Sequence, residues 1–342
     1  MKNKILFISL AVVLALSVGL IGCTEEAPPE VTTIGIFQII SHPALDSARE
    51  GFKDAYKAGM ADEGLSEEDV VFTERNAAGS MDVSYTIADY FVSLPVDLIC
   101  AIATPCVIAA TTAVEGTDIP VVFNSVTNPA DAGIDNWDEP GGQVTGVSDM
   151  APVEPQIQLV IDVLEANNLT LDKLGVVYNA GEPNSVYQVD VQLADAITAL
   201  DPTIEVVKAT VSTGADVPAA AQTVVDAGVD AIWVPTDNTV VAGIEGLVGP
   251  CEDNDVPLFA ADVATVERGA VGCWGMEYYN VGYVSGEMAV EILLKGVDPG
   301  TIPIGFTPAN LFYLYPEEGE RQGVTIPQDL LDQATKIVQD PA

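Results

Sequence analysis

The chain has 342 residues, of which 49% are hydrophobic, and it carries 12 basic against 51 acidic side chains, a formal net charge of -39. This length and apolar content predict a folded protein of two domains, not a disordered chain. A surface this negative repels polyphosphate, which excludes nucleic acid as a partner. We interpret the acidity as a heavily hydrated surface suited to a salty medium.

The N-terminus has the layout of an export signal. Lys2 and Lys4 precede an apolar run over residues 5–20, and the run ends in LIGC at residues 20–23. This order is typical of a secretory signal peptide, and the cysteine after small residues resembles the lipobox of prokaryotic lipoproteins. We therefore predict a signal peptide over residues 1–22, lipidation of Cys23 and a tether over residues 23–32. An uncleaved membrane anchor is the alternative, and either one places the folded part outside the cytoplasm.

From residue 33 onward, short β-branched runs alternate with longer amphipathic stretches. The predicted strands are TIGIFQII (33–40), VVFTERN (70–76), DLICAIA (97–103), IPVVFNS (119–125), KLGVVYN (173–179), IEVVKATV (204–211), DAIWVP (230–235) and VPLFAAD (256–262). This alternation predicts an α/β fold of two Rossmann-like lobes with parallel sheets. Late in the chain we predict a long helix over Tyr279–Lys295 and a terminal helix over residues 326–338.

Four cysteines follow Cys23: Cys100, Cys106, Cys251 and Cys273. None forms a CxxC pair, and their apolar surroundings predict buried thiols. A bridge between Cys251 and Cys273 is possible in an exported protein, and the sequence leaves it open.

Ligands of parallel α/β sheets bind beyond the carboxyl ends of the strands. The turns at those ends contain mainly neutral hydrogen-bonding side chains and a few acidic ones. This composition favours ligand binding over catalysis. The sequence contains no GxGxxG after a strand, no phosphate-binding GxxxxGK[ST], no GxSxG and no HExxH. With His42 as the single histidine, a zinc site is not expected. We predict no catalytic residue, no metal and no cofactor.

The first of these strand ends to suggest a ligand site is AIATPC, residues 101–106. Pro105 suits a first helical turn, so the free N–H groups near Cys106 and the Thr104 hydroxyl predict a site for a small anion such as a carboxylate. The alternative is that Thr104 only caps the helix. Ser125 and Thr127 add hydroxyl groups at the next strand end, although such segments are also ordinary turns.

Two aspartates follow strands of the second lobe, Asp237 and Asp262. Either could pair with an ammonium group, or each could cap the helix that follows it. His42 has no recognisable catalytic partner and lies just before a predicted helix, so it is either a ligand contact or a residue that orders the turn. Nearby aromatic residues could line an apolar pocket or belong to the core: Phe37, Tyr178, Tyr187, Trp233, Trp274 and Tyr278.

Six strings carry a resemblance to a known family. They are FQIISHPALDSAREGF (37–52), AIATPC (101–106), IPVVFNSVTNPADAG (119–133), VTGVSD (144–149), YNAGEPNS (178–185) and PTDN (235–238). Together with the lipobox, they resemble the substrate-binding lipoproteins of ABC importers related to the tryptophan- and tyrosine-binding ones. The resemblance covers nearly all of residues 31–336 and implies a type I periplasmic-binding-protein fold with three crossover segments. It implies lobe 1 over 33–148 and 275–307, and lobe 2 over 149–274 and 308–342.

The resemblance also implies which residues face the ligand. On the wall of lobe 1 it places Gln38, Ser41, His42, Thr104, Cys106, Ser125 and Thr127. On the opposite wall it places Asn179, Glu182, Asn184, Ser185, Asp237, Asn238 and Asp262. Cys106 stands where the family usually has alanine, and Asn128 where aspartate is common.

We therefore predict an extracytoplasmic lipoprotein, anchored to the membrane, that binds a small zwitterion and delivers it to an ABC permease and its ATPase. The ligand would be an amino acid, with aromatic ones among the candidates. Its carboxylate would bind at the helix start of Thr104 and Cys106 and to the hydroxyl group of Ser125 or Thr127, and its ammonium to Asp237 or Asp262. Because only the closed form holds both ends of the ligand, binding would select closure. One alternative is a sensor lipoprotein that feeds a membrane signalling receptor. Another is an extracellular enzyme on the same scaffold, which would require a nucleophile within reach of a base.

Overall fold

The computed structural model describes residues 31–340. The predicted signal peptide, Cys23 and nearly all of the predicted tether lie outside the described residues. Within residues 31–340, no helix combines the length and the apolar character that a membrane span requires.

The first lobe is built on a six-stranded sheet with the order β11-β5-β4-β3-β1-β2. All of its strand pairs are parallel. The strands are β1 (Thr32–Gln38), β2 (Val70–Asn76), β3 (Leu98–Ile102), β4 (Val121–Val126), β5 (Val144–Ser148) and β11 (Gly305–Phe306).

The second lobe is built on a seven-stranded sheet with the order β13-β12-β10-β9-β8-β6-β7. Its strands are β6 (Lys173–Asn179), β7 (Glu205–Val211), β8 (Ala231–Val234), β9 (Leu258–Ala260), β10 (Gly272–Gly275), β12 (Leu311–Leu314) and β13 (Lys336–Ile337). The β10–β12 pair is antiparallel, while the other pairs of this sheet are parallel.

Helices connect the strands. They are α1 (Pro43–Asp62), α2 (Met81–Val92), α3 (Thr104–Ala113), α4 (Val153–Ala166), α5 (Pro183–Tyr187), α6 (Leu193–Leu200), α7 (Val217–Asp226), α8 (Asn238–Ala242), α9 (Glu245–Asn254), α10 (Val263–Val266), α11 (Tyr278–Leu293), α12 (Pro316–Arg321) and α13 (Gln328–Leu331). Between α5 and α6 the chain forms one π-helical turn, Gln188–Gln192.

The chain passes between the two sheets three times, after β5, after β10 and after β11. The predicted fold class, two α/β lobes joined by three crossover segments, is therefore confirmed. The antiparallel strand β12 was not foreseen. It arises because the third crossover returns the chain to the edge of the second sheet in the opposite direction.

The predicted terminal helix over residues 326–338 is wrong. Only Gln328–Leu331 is helical, and Lys336–Ile337 forms strand β13 beside β12. The open edge of β12 supplies main-chain partners, since Thr335 N donates to Phe312 O at 2.7 Å. These tertiary hydrogen bonds outweigh the helical pattern of the segment.

The apolar side chains form one core around the first sheet and two around the second. Cys100, Cys106, Cys251 and Cys273 are buried within these cores and all four are free thiols, which confirms the predicted burial. The possible bridge between Cys251 and Cys273 is absent.

Candidate functional site

A narrow cavity of about 20 Å³ lies between the carboxyl ends of the two sheets. The first lobe contributes His42, Ala44, Leu45, Ser125, Thr127 and Tyr278, the first crossover contributes Asp149, and the second lobe contributes Asn184, Thr236, Asp237, Asn238, Val241 and Asp262. This volume holds about one water molecule, so the lobes are closed on each other.

Two side-chain hydrogen bonds cross directly from one lobe to the other. His42 Nε2 lies 3.3 Å from Asn238 Oδ1, and the hydroxyl groups of Thr127 and Thr236 lie 3.1 Å apart. Residues far apart in the sequence therefore meet at the cavity, and an opening of the cleft would break both contacts.

The predicted site residues divide into two groups. Those that line the cavity are His42, Ser125, Thr127, Asn184, Asp237, Asn238 and Asp262. Those that lie outside its lining are Gln38, Ser41, Thr104, Cys106, Asn179, Glu182 and Ser185. Of the aromatic residues considered from the sequence, Tyr278 alone lines the cavity.

Gln38 and Ser41 hold the start of helix α1. Gln38 Nε2 donates to Asp46 Oδ1 at 2.8 Å, and Ser41 Oγ donates to Asp46 Oδ2 at 2.6 Å. Arg49 in turn donates to Gln38 Oε1 at 2.9 Å. These hydrogen bonds lie behind the cavity wall, and they hold the turn that carries His42.

Thr104 and Cys106 lie at the start of α3, where both side chains are fully buried. The Thr104 hydroxyl has no hydrogen-bond partner among residues 31–340. The Cys106 thiol lies 3.8 Å from Ser84 Oγ, and burial raises its pKa well above the usual range. Cys106 is therefore a neutral core thiol.

Asp237 caps helix α8, as one of the two sequence-based interpretations predicts. Its carboxylate accepts from the main-chain N–H of Val240 at 2.8 Å, from that of Asn179 at 2.5 Å and from Ser185 Oγ at 2.6 Å. Burial and the neighbouring Glu182 charge raise the pKa of Asp237 to about 7. Capping and exposure to the cavity coexist in this residue.

Asp262 caps α10 in the same way. Its oxygens accept from Thr265 N at 3.0 Å and from Thr265 Oγ1 at 2.5 Å. Each oxygen can accept a further hydrogen bond, because a carboxylate can accept about four in total.

Asp149 was missed as a site residue by the sequence analysis. It is 4% exposed, lies on the first crossover and accepts from Thr127 Oγ1 at 3.1 Å and from Tyr278 OH at 2.8 Å. Burial raises its pKa above the ordinary value. The available signal was its position at the end of VTGVSD, directly after β5, which is the same kind of strand end that identified the other candidates.

Ser125 has a left-handed backbone, with φ at 58°. Ala103, just before α3, also has a positive φ of 78°. Such conformations are costly in residues other than glycine and cluster at functional sites. In this protein both lie at the cleft ends of neighbouring strands, β3 and β4.

Comparison with known proteins decides the family. The model of the family described as ABC transporter substrate binding protein matches residues 33–338. The chain belongs to that family. Its members are solute-binding proteins rather than enzymes, work outside the cytoplasm and interact with an ABC permease.

A curated relative is the tyrosine-binding protein of Clostridioides difficile, strain R20291, which is 35% identical over 317 residues, 89% of this chain and 87% of the relative. Among solved structures, a complex with L-Trp from Streptococcus pneumonia is 30% identical, with a TM-score of 0.80 over 90% of this chain and 99% of that one. A ligand-free, open substrate binding protein with adhesive properties from Clostridium difficile is also 30% identical but has a TM-score of 0.63, over 90% and 99% of the two chains. At equal identity, this substrate-binding protein is thus closer in shape to the ligand-bound neighbour, in keeping with its closed cleft.

The charges around the cleft of this family member are one-sided. Asp149, Asp237 and Asp262 line the cavity, and no lysine or arginine does. Low-dielectric surroundings strengthen the attraction of such a site for a positive group and make uncompensated carboxylates costly. The cavity is therefore suited to a ligand with an ammonium group.

Donors for a negative group come from the main chain. Helix α1 begins at Pro43, and its N-cap residue His42 makes no side-chain cap. The N–H groups of Ala44 and Leu45 belong to the first turn, which has no acceptor within the helix. Both residues line the cavity, at the positive end of a 20-residue helix.

Proposed function

We propose that this protein is the receptor of an ABC importer and binds an aromatic amino acid, tyrosine or tryptophan, in the cleft between its lobes. The observation that carries the proposal is a closed cleft lined by three carboxylates and by the start of α1. The names of the relatives, which mention tyrosine and L-Trp, support the class of ligand.

The ammonium group would bind among the carboxylates. Asp262 and Asp149 each use two hydrogen bonds within the protein, whereas Asp237 already accepts three. We therefore assign the main contact with the ammonium group to Asp149 and Asp262, with Asp237 as a nearby carboxyl whose pKa is raised to about 7.

The carboxylate would bind at the start of α1. Ala44 and Leu45, whose N–H groups lie in the first turn of α1, line the cavity, whereas Thr104 and Cys106 at the start of α3 lie outside its lining. We therefore favour α1 over the α3 site expected from the sequence. The hydroxyl group of Ser125 lines the same cavity but donates to Asn124 Oδ1 at 3.1 Å, so it would have to leave that partner to donate to the carboxylate.

The cavity must widen to admit an amino acid, because about 20 Å³ is far less than such a ligand occupies. Opening at the three crossovers would separate His42 from Asn238 and admit the ligand. Closure would then bring the start of α1 onto the carboxylate and the second lobe, with Asp149 of the first crossover, onto the ammonium. A permease could read the closed form as the loaded state.

Calorimetric titration of the purified full chain with the standard amino acids tests this proposal. We expect L-tyrosine or L-tryptophan to bind most tightly. Tyrosinamide, which lacks the carboxylate, and 3-(4-hydroxyphenyl)propionate, which lacks the ammonium, should each bind at least about tenfold more weakly, because each leaves charged partners unsatisfied. If no amino acid binds, the proposal is wrong.

We also propose that Cys23 carries a lipid that anchors the folded lobes to the membrane near the permease. Its support is the LIGC sequence after an apolar run. In cells, Cys23→Ser should move the protein from the membrane fraction to the soluble fraction. An unchanged distribution would contradict the lipid anchor.

A further inference from the structure

Glu182 lies behind the cavity wall, where it is 5% exposed and surrounded by donors. Its Oε1 accepts from Thr239 N at 2.9 Å and from Thr239 Oγ1 at 2.6 Å. Its Oε2 accepts from Asn238 N at 3.1 Å. Since main-chain N–H groups can only donate, these bonds fix both oxygens as acceptors.

Glu182 therefore fixes the orientation of the Asn238 amide and, together with Thr236 O, that of the Asn184 amide. Asn238 Nδ2 donates to Glu182 Oε2 at 2.6 Å, and Asn184 Nδ2 lies 3.3 Å from the same oxygen. Asn184 Nδ2 also donates to Thr236 O at 2.6 Å. With both NH₂ groups held in this way, both amide oxygens lie on the side away from these acceptors, where Asn238 Oδ1 meets His42.

The orientation of Asn238 fixes the tautomer of His42. Because Asn238 Oδ1 is an acceptor, His42 Nε2 must carry the hydrogen in the contact of 3.3 Å. In the neutral ring, Nδ1 is then a bare acceptor.

Among the residues that line the cavity, two buried acceptors consequently lack partners within residues 31–340. They are His42 Nδ1 on the first lobe and Asn184 Oδ1 on the second. Both residues line the cavity and are more than nine-tenths buried, with His42 7% and Asn184 3% exposed. A buried polar atom without a partner is costly, so each requires a donor in the bound state.

We propose that Glu182 is a positioning residue: through Asn184 and Asn238 it turns Asn184 Oδ1 and His42 Nδ1, one acceptor from each lobe, toward the N–H groups of the ligand's ammonium. This inference rests on the proposed function and deepens it. The carboxylates of the cavity select positive charge, and the two neutral acceptors select an ammonium with several N–H donors over a quaternary ammonium without any. Contact with both lobes would also make closure depend on the amine.

The groups that face His42 act in opposite directions. Burial lowers the pKa of His42, while the charges of Asp262, Glu182 and Asp46, together with the Asn238 hydrogen bond, raise it. Burial prevails, so the closed protein holds a neutral ring at neutral pH. Asp149 and Asp237 also have raised pKa values, so the pH dependence of affinity alone would not isolate His42.

The single histidine allows a direct test. The full chain would be labelled with ¹⁵N only at histidine, saturated with L-tyrosine near neutral pH and examined by NMR for the hydrogen on each ring nitrogen. We expect Nε2 protonated and Nδ1 bare in the complex. In Asn238→Ala this tautomer preference should be lost.

Binding measurements complete the test. Glu182→Gln and Asn238→Ala should each weaken L-tyrosine binding about tenfold or more. They should narrow the gap in affinity between L-tyrosine and its N,N,N-trimethyl derivative, which keeps the charge but has no N–H. Asn254→Ala, which removes an exposed amide bonded to Pro250 O, is the matched control and should leave both affinities unchanged.

Three outcomes would overturn the inference. The first is a protonated Nδ1 in the wild-type complex. The second is wild-type affinity for L-tyrosine in both variants, each shown to be folded by thermal unfolding. The third is equal binding of tyrosine and its trimethyl derivative by the wild type. If the wild type binds no amino acid at all, the proposed function itself fails, a result distinct from these three.

Discussion

Asp149 shows how much the role of one side chain depends on its partners. It lies on the first crossover, lines the cavity and accepts hydrogen bonds from Thr127 of the first lobe and Tyr278 beyond the second crossover. Under the proposed function, a carboxylate placed both on a crossover and in the site would couple ligand binding to the geometry of the crossovers.

Substitution of this carboxylate should lower the affinity for L-tyrosine more than it lowers the free energy of unfolding. Asp149→Asn keeps the shape and an acceptor oxygen but removes the charge, so we expect L-tyrosine affinity to fall by about 30-fold to 1000-fold, or 2–4 kcal/mol. Calorimetric titration measures the effect. Asp131→Asn, which alters an exposed carboxylate outside the cavity lining, should change affinity little. Equal effects of the two substitutions would contradict the role of Asp149.

At the scale of elements, the contact between α1 and α11 holds the first wall of the cleft. A Cβ atom on Gly282 of α11 would lie 1.8 Å from Ala48 O, and one on Gly51 of α1 would lie 2.1 Å from Tyr279 O. The two helices thus cross with their backbones touching, which only glycine allows at these positions. This crossing fixes where α1 presents Ala44 and Leu45.

Gly282→Ala should therefore destabilise the protein. The added methyl group cannot be accommodated without separation of the two helices, and we expect a loss of roughly 1–3 kcal/mol or more in the free energy of unfolding, measured with denaturant. Gly249→Ala is the matched control, because a Cβ atom there meets no atom within 4 Å inside helix α9. That control should change the free energy of unfolding by no more than about 1 kcal/mol, because the higher helix propensity of alanine is offset by Pro250, which disfavours helical backbone at a preceding residue with a Cβ atom. Similar losses in both variants would show that the helix contact is not the cause.

In the molecule as a whole, the formal net charge of -39 is the main electrostatic feature. Self-repulsion among so many carboxylates opposes the compact state. The described ion pairs are mostly on the surface, such as Lys57 with Glu67 and Lys208 with Asp190, and each contributes little. Added salt should weaken this repulsion, because its ions screen the carboxylate charges from one another.

The unfolding temperature should therefore rise with sodium chloride, most steeply between about 0.01 M and 1 M, where the screening length falls from about 30 Å to about 3 Å. Differential scanning calorimetry would measure this rise. An uncharged osmolyte of equal osmolality is the control and should raise the temperature less. A flat response to salt would contradict both the repulsion argument and the proposed adaptation to a salty medium.

The order of the amino acids alone predicts the α/β alternation, the strands that end at the cleft and the polar character of those ends. It does so because strand and helix periods are local, and because parallel strands bring their carboxyl ends to one edge. Contacts between residues that are 22 to 196 positions apart in the sequence decide which side chains at those ends face the cavity. Examples are the contacts of Asp149 with Thr127 and of His42 with Asn238. Glu182 illustrates the difference: its place in the turn was visible in the sequence, but the donors that turn it away from the cavity come from α8, more than 50 residues later.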